Sequence, residues 1–167
     1  MTEKAILTAI EQSWPGQMMH QITWLFSVLE TVHFVGLCLL MGAMLVVDLR
    51  LLGLMRQVPL KAALSLLPLA VFGFALNLIS GVGFFFSNPL SYWPNPAFKL
   101  KMALVLLAGL NALYFELVEH RPILAGDSHA DLHRATKVSA ALSLALWLLV
   151  IFWGRALPTF EGSTSLF

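Results

Sequence analysis

Apolar residues along this chain do not alternate; they fall in four long runs, at about residues 20–48, 61–86, 99–119 and 134–157, and the stretches between hold most of the prolines. Each run exceeds the roughly 20 residues an α-helix needs to cross about 30 Å of hydrocarbon at 1.5 Å per residue. The pattern predicts four transmembrane helices. Ahead of them, residues 2–14 put Ile6, Leu7, Ile10 and Trp14 on one side and Glu3, Thr8, Glu11 and Gln12 largely elsewhere. That is a short amphipathic helix suited to the headgroup region, with Pro15-Gly16 expected to end it. It does not read as a cleaved signal peptide, because Lys4 is its single basic residue and Glu11 and Gln12 interrupt any apolar stretch.

The links run from Arg50 to Leu60, from Ser87 to Phe98 with Pro89, Pro94 and Pro96, and from His120 to His133. Connections this short favour neighbouring antiparallel helices. The expected fold is all-α: a four-transmembrane-helix up-down bundle with a short N-terminal amphipathic helix, forming a single membrane domain over residues 1–167. Small residues mark places of close helix approach: Ala135, Ser139 and Ser143 at every fourth position, Cys38 and Gly42, and Gly81 with Gly83. Gly-Val-Gly within an apolar helix, with no strand before it, is not a phosphate loop.

Composition turns a pattern into a class. Of 167 residues, 59% are hydrophobic and 11% charged, against the roughly 25% charge usual in soluble domains, and mean hydropathy is +0.82. A net charge of +1, with Lys and Arg scattered at segment ends, excludes a basic nucleic-acid-binding stripe. The single cysteine, Cys38, cannot form an intrachain disulfide and reads as a packing residue. Arg50, Arg56, Lys61, Arg121, Arg134 and Lys137 flank the first and third links, whereas Lys4, Lys99, Lys101 and Arg155 lie at the other end. This asymmetry, six basic residues against four, biases both termini toward the outside. Trp14, Tyr92, Trp93 and Trp153 would then form an aromatic belt on that face.

The candidate chemistry centres on Glu30 and His33, a carboxylate and an imidazole three residues apart on one helix face. Ionisable groups at membrane depth are expensive and point to function. A buried imidazole there can ligate haem or another metal, move a proton, or bond two helices together. For haem, Glu30 or Thr31 could receive the second ring nitrogen. His20 is a poor stacked companion: 13 helical steps leave it about 140° around the helix from His33. His133, at the start of the fourth helix, lies about three turns too shallow to face His33, so it is a weak metal ligand. The midplane also offers Asn77, Asn111 and Ser143, which with Glu30 and His33 could make one polar cluster. In the third link, His120, Asp127, His129, Asp131 and His133 include a four-residue His–His spacing able to chelate a metal, though a solvated polar loop accounts for it as well. Lys99, Lys101 and Arg155 could line an anionic or quinone headgroup pocket beneath Trp93 and Trp153, or simply snorkel to the interface.

The run from His33 through Met41, Gly42 and Ala43, closed by Asp48-Leu49-Arg50-Leu51-Leu52-Gly53, resembles a bacterial family of small four-helix membrane proteins without an established function. It also resembles the first-helix pattern of the copper-resistance CopD membrane domain and of the haem-containing membrane protoporphyrinogen oxidases, in which a histidine precedes a small-residue step by about nine positions. Lys99 and Lys101 match the basic residue that opens the third helix of the oxidases. The resemblance covers about half the chain. It implies His33 as a haem ligand or essential polar residue, with Lys99 or Lys101 functional; where a further histidine is expected in the third helix, this chain has Asn111.

The leading expectation is therefore a membrane-embedded b-type haem protein with an electron-transfer role, exchanging electrons with a membrane or periplasmic partner. The alternatives are a cofactor-free accessory subunit of a larger membrane complex, and proton-coupled or metal-ion transport through the polar midplane.

Overall fold

The structure, a computed structural model, describes residues 2–120, 123 and 132–160. Two short helices, α1 (Glu3–Glu11) and α2 (Trp14–Gln21), precede the first long helix, α3 (Leu25–Leu51). After α4 (Leu60–Leu64) come α5 (Leu67–Ser87), the short α6 (Pro89–Tyr92) and α7 (Pro96–Tyr114). Helix α7 widens into a π-helical turn at Phe115–His120, and α8 (Arg134–Ala156) closes with a 3-10 turn at Leu157–Phe160. Four helical stretches, Leu25–Leu51, Leu60–Ser87, Pro96–His120 and Arg134–Phe160, are long and apolar enough to cross a membrane. The chain is a multi-pass, all-α membrane protein.

Local chemistry sets the helix ends. Pro15 lies in the first turn of α2, where its missing N–H breaks no helical bond, so Pro15-Gly16 opens a second helix instead of merely ending the first. At the other end of α3, Gly53 takes a left-handed conformation (φ +85°). Its N–H donates to the Arg50 carbonyl (3.1 Å), and Leu54 N–H donates to the Leu49 carbonyl (3.0 Å). This is a Schellman cap, and it explains the glycine that closes the Asp48–Gly53 run. Arg50 Nε also donates to the Val58 carbonyl (2.6 Å), fastening the first link beneath the helix.

Cross-helix contacts fix the topology. Phe26 meets Phe84, His33 meets Ser80 and Gly36 meets Gly73, so α3 and α5 are antiparallel. Asn111 meets Ser139, Lys101 meets Gly154 and Asn95 donates to the Leu157 carbonyl, so α7 and α8 are antiparallel too. The bundle runs up and down, with α1, α2 and α6 gathered at the termini end and the first link at the far end.

The lateral arrangement is an arc. Helix α3 packs extensively on α5 and also on α8, and α8 packs on α7; the two flanking helices, α5 and α7, form no comparable interface with each other. They touch at the termini end, where Phe85 stacks on Phe98 with centroids 5.7 Å apart. One apolar cluster around Leu40, Ala43, Leu104, Ala108 and Trp147 fills the centre, and a second around Val47, Leu51, Leu60, Leu64 and Phe115 fills the far end. Gly36 and Gly73 make the tightest crossing: a Cβ on Gly73 would lie 2.6 Å from both the Gly36 carbonyl oxygen and the Leu40 nitrogen. Gly83 makes room for Leu29, and Ser139 and Ser143 are buried. The Cys38–Gly42 step is different: Cys38 is exposed and Gly42 has open space around it, because that side of α3 turns away from both of its neighbours.

Candidate functional site

Polar residues inside the bundle fall into two groups at different depths. In the termini half, His33 of α3 sits half-buried against α5, with Nδ1 2.8 Å from Ser80 Oγ and its ring beside Phe84 (centroids 5.4 Å). Ser80 is fully buried and donates its hydroxyl proton to the Leu76 carbonyl at 2.6 Å. A serine has one proton to give, so with that proton on the Leu76 carbonyl the short contact with His33 has Nδ1–H as donor and Ser80 Oγ as acceptor. The neutral ring then carries its lone pair on Nε2. Gly81 leaves the flank of the ring open, since a Cβ there would meet nothing nearer than His33 Cε1, at 4.0 Å.

Asn77 and Lys101 complete this group. Asn77 lies one turn before Ser80, donates to the Gly73 carbonyl (3.0 Å) and fills the crossing beside Gly36. Lys101 extends from α7 toward Gly154 of α8, where a Cβ would come within 3.4 Å of its Nζ. His33 lies five residues, or about 7.5 Å, from the middle of α3 on the termini side.

In the far half, Asn111 of α7 and Ser139 of α8 form a closed pair. Asn111 Nδ2 donates to the Ser139 carbonyl (3.0 Å), and Ser139 Oγ donates back to Asn111 Oδ1 (3.1 Å). Near them lies Asp48 of α3, only 2% exposed, with Ser143 of α8 facing it. Asp48 Oδ2 is buried without a hydrogen-bond partner among the described residues. Farther along, Glu119 accepts from the hydroxyls of Tyr114 (3.1 Å) and Thr136, tying the π-helical turn to α8.

The expected single midplane cluster is thus two clusters. His33 and Asn77 stand together with Ser80, while Asn111 and Ser143 belong to the far half, beside Ser139 and Asp48. Glu30 joins neither. It is exposed, five residues into α3, and the nitrogen His33 would have offered it goes to Ser80 instead. Thr31 donates to the Ser27 carbonyl on its own helix.

The other described histidines do not approach His33. His20 is exposed, 3.9 Å from Glu11; His120 pairs with Glu116 at 2.9 Å; His133 is exposed at the start of α8. Asp127, His129 and Asp131 lie outside the described residues. No group of three or more His, Cys, Asp or Glu suited to a metal ion occurs among the described residues. Lys99 and Arg155 are exposed at the termini end, whereas Lys101 is partly buried, so only one of the three basic candidates reaches the bundle interior.

Sequence reasoning missed Ser80 and the free oxygen of Asp48. Ser80 carried no signal, being one serine in an apolar helix. Asp48 enters the sequence reading only within the run that closes at Gly53, although four apolar residues precede it. Residues 7–159 match a family described as of unknown function, DUF6644. No curated protein and no solved structure matches the chain.

Proposed function

The chain belongs to the DUF6644 family, and from its own residues we propose that it is a membrane-embedded b-type haem protein with a redox role, in which His33 would hold the haem iron. The observation that carries this reading is the hydrogen bond from His33 Nδ1 to Ser80. It sets the tautomer and the ring orientation, as the outer partner of a metal-ligating histidine does, and leaves Nε2 as the free donor atom. The open flank at Gly81 and the aromatic edge of Phe84 suit a flat ligand beside the ring.

These residues fit attachment through one histidine. Among the described residues no second histidine faces the site, so the reading proposed is attachment through His33 alone. When bound, the group would supply a one-electron couple. The protein's part is to hold the imidazole at fixed orientation through Ser80 and to offer the cationic Lys101 to a carboxylate of the ligand. The resemblance of the first-helix run to CopD-like and oxidase membrane domains, read from the sequence, implies the same role for His33. The excess of basic residues at the far end supports placing the termini on the periplasmic side of a bacterial inner membrane, facing a membrane or periplasmic redox partner.

The test is a reduced-minus-oxidised absorption spectrum of protein purified under haem-replete expression. A Soret band is expected, abolished by His33→Ala and retained by His20→Ala and His133→Ala. Wild-type protein without the band, or a band that survives His33→Ala, overturns the assignment.

A further inference from the structure

A cavity of about 410 Å³ lies in the far half of the bundle, between α3, α5, α7 and α8, with no part in the His33 site. Its walls are mainly apolar, from Leu40, Val47, Phe74, Phe115 and Trp147 among others. The volume falls within the ~300–1,000 Å³ usual for small-molecule sites. The cavity lies where α5 and α7 share no packing interface, and its side walls include the exposed Val71 of α5 and Leu113 of α7. Its mouth therefore faces the lipid between these two helices.

The polar groups on the wall are unequal. Asn111 and Ser139 satisfy each other, and Glu116, at the exposed rim, pairs with His120. Asp48 remains, with Oδ2 lacking any hydrogen-bond partner among the described residues and Ser143 facing it. Among the described residues the ionisable groups on the wall are two carboxylates, with no Lys, Arg or His. The nearest basic residue along the chain, Arg50, does not line the cavity; its Nε turns to the Val58 carbonyl. A buried carboxyl oxygen without a donor is costly in an apolar setting, and a charge-assisted hydrogen bond from a cation relieves it most fully.

We propose that this cavity is a binding site for a lipophilic primary or secondary amine, which enters from the bilayer between α5 and α7, donates an ammonium N–H to Asp48 and buries its apolar body against Phe74 and Trp147. A quaternary ammonium, having no N–H, satisfies Asp48 less well. A neutral alcohol of the same shape supplies a hydrogen bond without the charge.

The probe is 4-(4-bromophenyl)butylamine, titrated into full-length protein in phosphatidylcholine nanodiscs and measured by equilibrium dialysis against empty nanodiscs. Bromine quenching of tryptophan fluorescence gives a second readout. Saturable binding at one site is expected, with the matching alcohol at least tenfold weaker. Asp48→Asn should weaken the amine at least tenfold and bring it to the level of the alcohol. Ala112→Trp, at an exposed position on the wall, should block both ligands without disturbing the buried core. Trp147→Phe should remove most of the quenching while dialysis still reports binding. Equal affinity for amine and alcohol, unchanged binding in Ala112→Trp, or no saturable binding beyond that of empty nanodiscs overturns the proposal.

Discussion

A single hydroxyl decides what the imidazole of His33 can do. When Ser80 donates to the Leu76 carbonyl it accepts from His33, and the imidazole proton is then on Nδ1. Ser80→Ala should therefore act in two measurable ways. As a helix–helix contact, the pair is worth about 0.6 kcal/mol on the scale of polar contacts between membrane helices, and a His33/Ser80 double-mutant cycle in mild denaturing detergent should return a coupling of that order. As an orienting partner, its loss should weaken retention of a His33-bound haem about ten- to hundredfold, read as Soret intensity after competition with apomyoglobin. A coupling near zero would mean that Ser80 does not hold the ring. His33 itself was legible in the sequence because a titratable residue in an apolar run is conspicuous. Ser80 was not, because a serine on a transmembrane helix usually bonds its own backbone, as Ser80 also does; only the register of α5 against α3 gives it a second role. Asp48 was not legible either, since a carboxylate near a helix end is normally solvated, and burial by α8 is a tertiary fact.

At the scale of the element, hydropathy runs located all four spans, and their bounds shifted by only a few residues where caps intervened. The first span begins at Leu25 instead of about residue 20, because α2 takes up the residues before it, and it ends with the Schellman cap at Gly53. Which small residues pack was less legible, since a glycine signals permission for close approach and not its direction. Gly36 and Gly42 are both central in α3, yet one crosses Gly73 and the other faces open space. Their substitutions should separate accordingly. A Cβ on Gly36 would lie 2.8 Å from the Gly73 carbonyl oxygen, which is backbone and cannot swing aside, so Gly36→Ala should destabilise by about 1–3 kcal/mol or more through forced separation of α3 and α5. Gly42→Ala should be neutral or stabilise by up to about 1 kcal/mol, through the usual helix preference for alanine. Thermal melts monitored by circular dichroism in detergent would check the pair, and similar melting temperatures for the two variants would contradict the crossing.

For the whole molecule, an even number of spans puts α1, α6 and the end of α8 on one side and the first link on the other. Cysteines placed at Trp14 and Trp93 in a Cys38→Ala background should react with a membrane-impermeant maleimide added to intact cells, whereas one at Arg56 should react only after permeabilisation. The reverse pattern would keep the bundle but invert the orientation proposed from the basic residues. The arc of helices has a further consequence. Phe85 stacked on Phe98 closes α5 against α7 at the termini end, while the cavity lies where the same two helices have no shared interface. The gap is a wedge, closed in one leaflet and open in the other. A bilayer-dissolved molecule can therefore reach Asp48 from only one lipid monolayer, and an amphiphile supplied to the opposite monolayer must first cross the membrane. Occupancy of the cavity would then follow the transbilayer distribution of its ligand, so that the protein responds to the asymmetry of the membrane and not only to how much ligand the membrane contains.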